Sequence, residues 1–253
     1  MDLQHYLKVA EHTARKAGAA LRSSHAVWSS TSEVTRRDIK LDADRNSESL
    51  ILSALRTETD VPILSEEAGS RGGDPYEGLR WVVDPLDGTV NYARSIPLAA
   101  VSIALLRDGV PLLGVIHDFN HDETFTGSAG GGAFLNGMPI TVSSVAAPEQ
   151  AALATGLPAR RDYSQSAMGG VARNLARWHK VRMFGTAATS LAYVAAGRID
   201  AYQESSIMLW DVAAGWALVE AAGGKVRATL LSSPAVLNFA AANFHLLEAF
   251  VDM

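Results

Sequence analysis

The spacing of apolar residues changes partway along this 253-residue chain, and that change limits the folds open to it. Leu3, Tyr6, Leu7, Ala10, Ala14, Ala17 and Leu21 recur at three- and four-residue steps, so they share one face of a long opening helix. A second helical pattern runs from about Asp42 to Arg56. Leu50, Ile51, Ala54 and Leu55 are its apolar positions, and Asp42 and Asp44 lie near its start, where acids suit the helix dipole. From Val61 the pattern becomes short apolar runs separated by Gly, Pro, Asn and Asp, which predicts strands and tight turns. The expected strands are Ile63-Leu64, Trp81 to Val83, Ala99 to Leu106, Leu112 to Ile116, Thr124 to Thr126 and Ala133 to Leu135, the last followed by an Asn136-Gly137 turn. Gly127 to Gly132 lacks the lysine and hydroxyl of a phosphate-cradling loop and reads as a hairpin turn.

Beyond about Val142 strands alternate with helices. Ala152 to Thr155 and Val181 to Phe184 read as strands, as does the segment through Tyr202. Ser166 to Trp178, Thr186 to Ala196 and Leu209 to Ala221 read as helices, the last stopped by Gly223-Gly224, and an amphipathic turn or two follows from His245. The pattern divides the chain into an antiparallel-rich lobe, 1–142, and an α/β lobe, 143–253. No repeat or flexible linker separates them, so they are expected to pack together.

With 48% hydrophobic residues the chain can bury a large core. Cysteine is absent, which excludes a disulfide framework, a thiolate nucleophile and any sulfur-ligated metal. A formal charge of -5 argues against a general nucleic-acid or membrane-surface binder and favours a small, metal-neutralised substrate. Residues 1–6 lack a basic patch followed by an apolar run, and no later segment holds about 18 uninterrupted apolar residues, so a cytoplasmic location is expected.

The most informative stretch is Trp81-Val82-Val83-Asp84-Pro85-Leu86-Asp87-Gly88-Thr89, an apolar strand that runs into two carboxylates around a proline. Pro85 fixes its own φ and biases Asp84 toward an extended backbone, so the chain can turn and aim Asp84 and Asp87 at one point, with the Leu86 carbonyl between them. Gly88 permits close backbone approach to a ligand, and Gly88-Thr89 offers amide donors where a helix could begin. Taken alone, a metal site and an ordinary turn both fit these residue types. Upstream, Glu66 and Glu67 follow a short strand. Downstream, Asp211 lies among Met208, Leu209, Trp210, Val212 and Ala213, where a carboxylate needs either a cation or an N-cap role. His117 and His121, near Asp118, Asp122 and Glu123, could be drawn as a transition-metal site, but solvated loop residues flanking a hairpin connection are the preferred reading.

Trp81 to Thr89 resembles the Asp-Pro-(Leu/Ile)-Asp-Gly-Thr motif of the inositol monophosphatase family, and Leu209 to Gly223 resembles that family's second motif, which begins Trp-Asp and ends Ala-Gly-Gly. The similarity extends over nearly the whole chain, including Asp44, the Ser65-Glu66-Glu67 element, Gly185-Thr186-Ala187-Ala188 and Glu204. It implies an α/β (α+β) fold, a layered αβαβα sandwich of the inositol monophosphatase and fructose-1,6-bisphosphatase type. It further implies a lithium-sensitive homodimer.

The resemblance also implies two or three magnesium ions. Glu66, Asp84 and the Leu86 carbonyl would hold one, Asp84, Asp87 and Asp211 a second, and a third would rest mainly on Glu66. A metal-activated water, oriented by Thr89 and Asp44 and lying near Glu66, would attack phosphorus directly. Gly88 and Thr89 would bind the phosphoryl oxygens, while Glu204 and Ala187, beside Asp211, would line the pocket for the polyol hydroxyls. Glu204 could also be a plain surface acid at a strand end.

The implied substrate is a small phosphorylated polyol, inositol 1-phosphate first. Histidinol phosphate, fructose bisphosphate and nucleotide bisphosphate are served by the same scaffold and stay open, as does a non-catalytic binding protein that retains the fold. The chain departs from the family pattern at Val90, at Asn91 to Arg94 and at Ser65, and the polar stretch 33–37 lacks a clear lysine-rich loop, which puts the third ion in doubt.

Overall fold

A computed structural model describes residues 2–29, 31–34, 39–67, 76–158, 161–231 and 235–250. The helix α1 (Leu3–Ser23) starts on Asp2, whose Oδ1 accepts from the amides of Gln4 (3.0 Å) and His5 (3.2 Å). It buries the expected face, Ala10, Ala14, Ala17 and Leu21. A short α2 (His25–Trp28) and the pair β1 (Thr31–Val34) and β2 (Ile39–Leu41) lead into α3 (Asp42–Glu58).

Seven strands then form one sheet in chain order: β3 (Ile63–Ser65), β4 (Leu79–Asp87), β5 (Ala100–Arg107), β6 (Val110–Asp118), β7 (Glu123–Ser128), β8 (Gly132–Leu135) and β9 (Met138–Ile140). Only the β3–β4 pair is parallel. A short helix α4 (Thr89–Ala93) leaves the end of β4. After a 3₁₀ turn come β10 (Ala152–Thr155), α5 (Gln165–Leu175), β11 (Lys180–Arg182), α6 (Ala187–Ala195), β12 (Ala201–Met208), α7 (Leu209–Ala221), β13 (Lys225–Leu230), β14 (Val236–Ala242) and α8 (Phe244–Leu247). The second sheet has the order β11-β10-β12-β14-β13, parallel on the β11 side and antiparallel on the β13 side.

Strand alternation assigns the layers. On β4 and β5, Trp81, Val83, Val101, Ile103 and Leu105 join the core under α1 and α3, whereas Val82, Ala100, Ala104 and Leu106 join the core that contains α6 and α7. On β12 and β14, Tyr202, Leu237, Phe239 and Ala241 face α6 and α7, while Ala201, Ala240 and Ala242 face Trp178, Leu246 and Phe250. The molecule is therefore a layered αβαβα sandwich. Because α7 lies between two sheets, every residue of it but Asp211 near its start and Glu220 near its end is apolar. A Cβ at Gly114 on β6 would meet the Ala214 carbonyl oxygen of α7 at 2.2 Å, so this glycine sets the closeness of that contact.

Several boundaries differ from expectation. β4 continues past Val83 through Asp87, because β5 supplies pairing partners on both sides of a bulge: Asp84 faces Ser102 and Asp87 faces Ala100. Pro85, which cannot donate to a ladder, falls inside that bulge. The strand expected at Val181 to Phe184 is Lys180–Arg182. The hairpin turns after Ser128 and at Asn136-Gly137 form as expected, the second with φ of 47° and 79°. The side chains of residues 33–37, which bear on a third ion, lie outside the described residues.

Candidate active site

One cavity of about 260 Å³ is lined by Glu66, Asp84, Leu86, Asp87, Gly88, Thr89, Ala187, Glu204 and Asp211, so the structure brings these residues together from β3, β4, α4, α6, β12 and α7. Asp44 does not line it but reaches Thr89, whose hydroxyl lies 2.9 Å from Asp44 Oδ1 and 3.0 Å from the Leu86 carbonyl. The other oxygen of Asp44 accepts from the Leu41 amide at 2.8 Å, which anchors the carboxylate at the start of α3.

Asp84, Asp87, Asp211 and Glu204 are each anchored by hydrogen bonds. Asp84 Oδ1 accepts from the Leu86 amide at 3.0 Å. Asp87 Oδ2 accepts from the Thr186 hydroxyl and from the Ala188 amide at 2.6 Å. Asp211, the third residue of α7, accepts from the Met208 amide through Oδ2 at 3.3 Å, so its helix-start role and its place in the cavity coexist. Glu204 Oε2 accepts from the Tyr202 hydroxyl at 2.7 Å, and Glu204 is buried, which excludes the surface-acid alternative. Glu66 is half-buried where the chain leaves β3, and its amide donates to the Val83 carbonyl at 3.2 Å.

The electrostatics of the cavity are one-sided. Burial pushes the Asp84 carboxyl well up, and the charges of Glu66, Asp87 and Asp211 push in the same direction. Asp211 is raised well above the ordinary range by burial and then by Glu66, Asp87 and Glu204. Burial moves Asp87 to about 6 despite the Thr186 and Ala188 hydrogen bonds, Asp44 to about 6 and Glu204 to about 7. None of the described residues lining the cavity is Lys, Arg or His.

Such a set of hard oxygen donors fits a divalent cation, which would supply the missing positive charge. No three His, Asp or Glu side chains among the described residues close around a single point as a finished cage. Glu66, Asp84, Asp87, Glu204 and Asp211 nonetheless share the one cavity.

Ser47 and Asn91, which sequence reasoning left without a role, complete the support together with Gly88. Ser47, three positions after Asp44 on α3, donates to the Pro85 carbonyl at 2.8 Å and pins the bulge. Asn91 donates to the carbonyls of Leu98 (2.8 Å) and Phe184 (2.7 Å), tying the loop before β5 to the segment that carries Thr186. Gly88 has φ of 92°, and a Cβ there would meet the Leu98 oxygen at 2.8 Å. The spacing of Ser47 from Asp44 was a legible helix-face signal; the partners of Asn91 and Thr186 were not.

His117 is a correction. It is not a solvated loop residue but a buried one on β6, with Nδ1 2.8 Å from Thr124 Oγ1, and burial holds its pKa down at about 4. His121 is half-exposed and its Nδ1 lies 2.7 Å from Asp118 Oδ2. Neither lines the acidic cavity.

An αβαβα sandwich with five carboxylates gathered into one cavity beside a strand bulge suits a phosphomonoesterase, and comparison with known proteins agrees. The model of the inositol monophosphatase family matches residues 2–243, and the chain belongs to that family of metal-dependent phosphomonoesterases. It is 43% identical over 194 residues to the Nus factor SuhB of Xylella fastidiosa, covering 76% of this chain and 70% of that one. It is 35% identical over 241 residues to the inositol-1-monophosphatase of Synechocystis sp., covering 90% and 80%. The solved inositol monophosphatase of Anabaena (Nostoc) sp. superposes with a TM-score of 0.85 at 37% identity, over 98% of this chain and 94% of that one.

Proposed function

We propose that the protein is a magnesium-dependent phosphatase that hydrolyses the phosphate monoester of a small polyol, inositol 1-phosphate first. The observation that carries this reading is the gathering of Glu66, Asp84, Asp87, Glu204 and Asp211 in one cavity whose described lining is free of basic side chains. Glu66, Asp84, the Leu86 carbonyl, Asp87 and Asp211 would hold two ions, and Glu66 a third. Bound magnesium supplies charge that offsets the phosphoryl oxygens and the leaving alkoxide and makes a nearby water acidic enough to attack.

The chain's own groups do the positioning. Thr89 and Asp44, already hydrogen-bonded, orient the attacking water, with Glu66 beside it. The Gly88 and Thr89 amides bind phosphoryl oxygens, and Ala187 leaves room for the polyol, whose hydroxyls donate to Glu204. We further propose a lithium-sensitive cytoplasmic homodimer in which residues 1–142 carry most of the cation ligands and 143–253 the substrate pocket. Among the described residues, no helix is long and apolar enough to cross a membrane.

A second reading, a binding protein that keeps the fold without turnover, draws on relatives named Nus factor SuhB. Apposed carboxylates weigh against it, because without a cation they only repel one another. Phosphate release from inositol 1-phosphate, with magnesium and after chelation, decides between the two. Magnesium-dependent, lithium-inhibited release is expected, and a full rate in excess EDTA would sink the metal reading.

A further inference from the structure

Ser65 is one of the positions at which the chain departs from the family pattern, and it stands immediately before the proposed cation ligand Glu66. It closes β3, a strand of three residues at the edge of the first sheet, whose neighbour among the described strands is β4. The Ser65 backbone pairs with Val83, and the next amide, that of Glu66, donates to the Val83 carbonyl at 3.2 Å. Glu66 therefore leaves the sheet where the ladder stops. A short strand end of this kind frays readily unless a further contact fixes it.

Alternation along β3 decides which way each side chain goes. Leu64 packs with Val82 in the core that contains α6 and α7, so Ser65 faces the opposite way, toward α3. It is buried there, and its hydroxyl donates to Oε1 of Glu48 on α3. A carboxylate acceptor makes this a charge-assisted bond, roughly twice as strong as one between neutral groups.

Glu48 lies one turn beyond Asp44 and next to Ser47, so side chains at i, i+3 and i+4 share one face of α3. Each reaches a different segment of the site. Asp44 meets the Thr89 hydroxyl at the start of α4, Ser47 the Pro85 carbonyl in the β4 bulge, and Glu48 the end of β3. One helix face thus holds in register the segments that carry Glu66, Asp84 and Asp87.

We propose that Ser65 and Glu48 are positioning residues: their hydrogen bond holds the end of β3 so that Glu66 is aimed at the cavity, and it sets how tightly the cation on Glu66 is bound. The inference rests on the metal reading above and deepens it. Neither residue lines the cavity, so their effect reaches the reaction through Glu66.

The test measures magnesium binding to the substrate-free full chain by calorimetry, and hydrolysis of inositol 1-phosphate and 4-nitrophenyl phosphate over a magnesium series, for the wild type, Ser65→Ala, Ser65→Thr and Glu48→Gln. Ser65→Ala should weaken magnesium binding by about ten- to a hundredfold, as removal of a group that orients a metal ligand does. Its kcat at saturating magnesium and its KM for either ester should stay within about twofold of the wild type. Ser65→Thr keeps the hydroxyl and should restore the affinity. Glu48→Gln keeps an acceptor without the charge and should fall between.

Glu48 is half-buried, so its variant keeps the proposal falsifiable if Ser65→Ala fails to fold. Variants that melt lower yet bind magnesium as the wild type does would reduce the pair to a packing contact and overturn the proposal. So would a fall in kcat that saturating magnesium does not recover. A wild type that binds magnesium but hydrolyses neither ester would sink the phosphatase reading alone, since calorimetry still judges Ser65 and Glu48. A wild type that binds no magnesium would sink the metal reading, and this inference with it.

Discussion

Thr186 and Asp87, 99 residues apart, share a buried hydrogen bond in which the Thr186 hydroxyl donates to Asp87 Oδ2. The same hydroxyl oxygen accepts from the Thr189 amide at 3.2 Å and so caps α6. One side chain therefore ties the start of a helix in the middle layer to an acid at the end of a strand. Thr186→Val should cost about 1 to 2 kcal/mol of stability from the lost cap and raise the magnesium concentration needed for half-maximal activity. Thr186→Ser should restore both. Magnesium titrations of the three proteins would show it, and an unchanged titration for Thr186→Val would separate Thr186 from the site.

Without a cation, the clustered acids should oppose folding at neutral pH. Asp87 is held at about 6, above its ordinary 3.8, so its protonated form is the one the fold favours. Its contribution to stability is complete below about 3.8 and is lost as pH rises through about 6. Asp87→Asn removes that penalty, because the amide oxygen can take the Thr186 and Ala188 donors. In EDTA the variant should be more stable than the wild type by at most about 3 kcal/mol at pH 7.5, and by about 1 kcal/mol at pH 4.5. Added magnesium should reverse the order, and the variant should lose most activity. Melting curves at the two pH values are the check.

His117 has the opposite sign. Its pKa is lowered from 6.5 to about 4, so the fold favours the neutral ring, and the stability this brings is present above about 6.5. As pH falls the unfolded chain takes up a proton that the native protein refuses, and by pH 5 about 2 kcal/mol is gone. Urea unfolding at pH 7 and pH 5 should show a steeper loss for the wild type than for His117→Gln. Parallel losses would mean that the ring protonates in place.

Glu204→Gln and Tyr202→Phe act on recognition. Glu204→Gln keeps the shape of the acid but weakens its acceptor, and Tyr202→Phe removes the donor that aims it. Both should reduce kcat/KM for inositol 1-phosphate by about ten- to a hundredfold while changing an aryl phosphate little, since a charge-assisted hydrogen bond is worth roughly 1.5 to 3 kcal/mol. Equal losses on both substrates would place the pair in the chemical step.

Gly114→Ala tests the packing that sets the middle layer. The added methyl meets the Ala214 carbonyl at 2.2 Å, and backbone is the neighbour least able to move. A destabilisation of about 1 to 3 kcal/mol is expected, read from denaturant midpoints. A neutral result would show that α7 can slide on β6.

What the sequence by itself determined was whatever contiguous residues encode. The three- and four-residue spacing from Leu3 to Leu21 made α1 and its buried face legible, and Asn136-Gly137 announced a hairpin, because period and turn chemistry are local properties. The two long motifs likewise identified Asp84, Asp87 and Asp211 as candidates. Tertiary structure decided the matters that depend on pairing at a distance. β5 drew Asp84 and Asp87 into β4 rather than a free turn, and Thr186 and Tyr202 became the supports of two acids. His117 went into the interior because β6 lies under α1, where Gly18 leaves space for its ring. Arg161, Arg173 and Arg177 lie before, on and after α5 in the linear chain. They acquired a cavity only when α5 packed beside β12 and brought them to the far side of Glu204, since long-range contacts are set by how layers stack and not by the order of residues within any one of them.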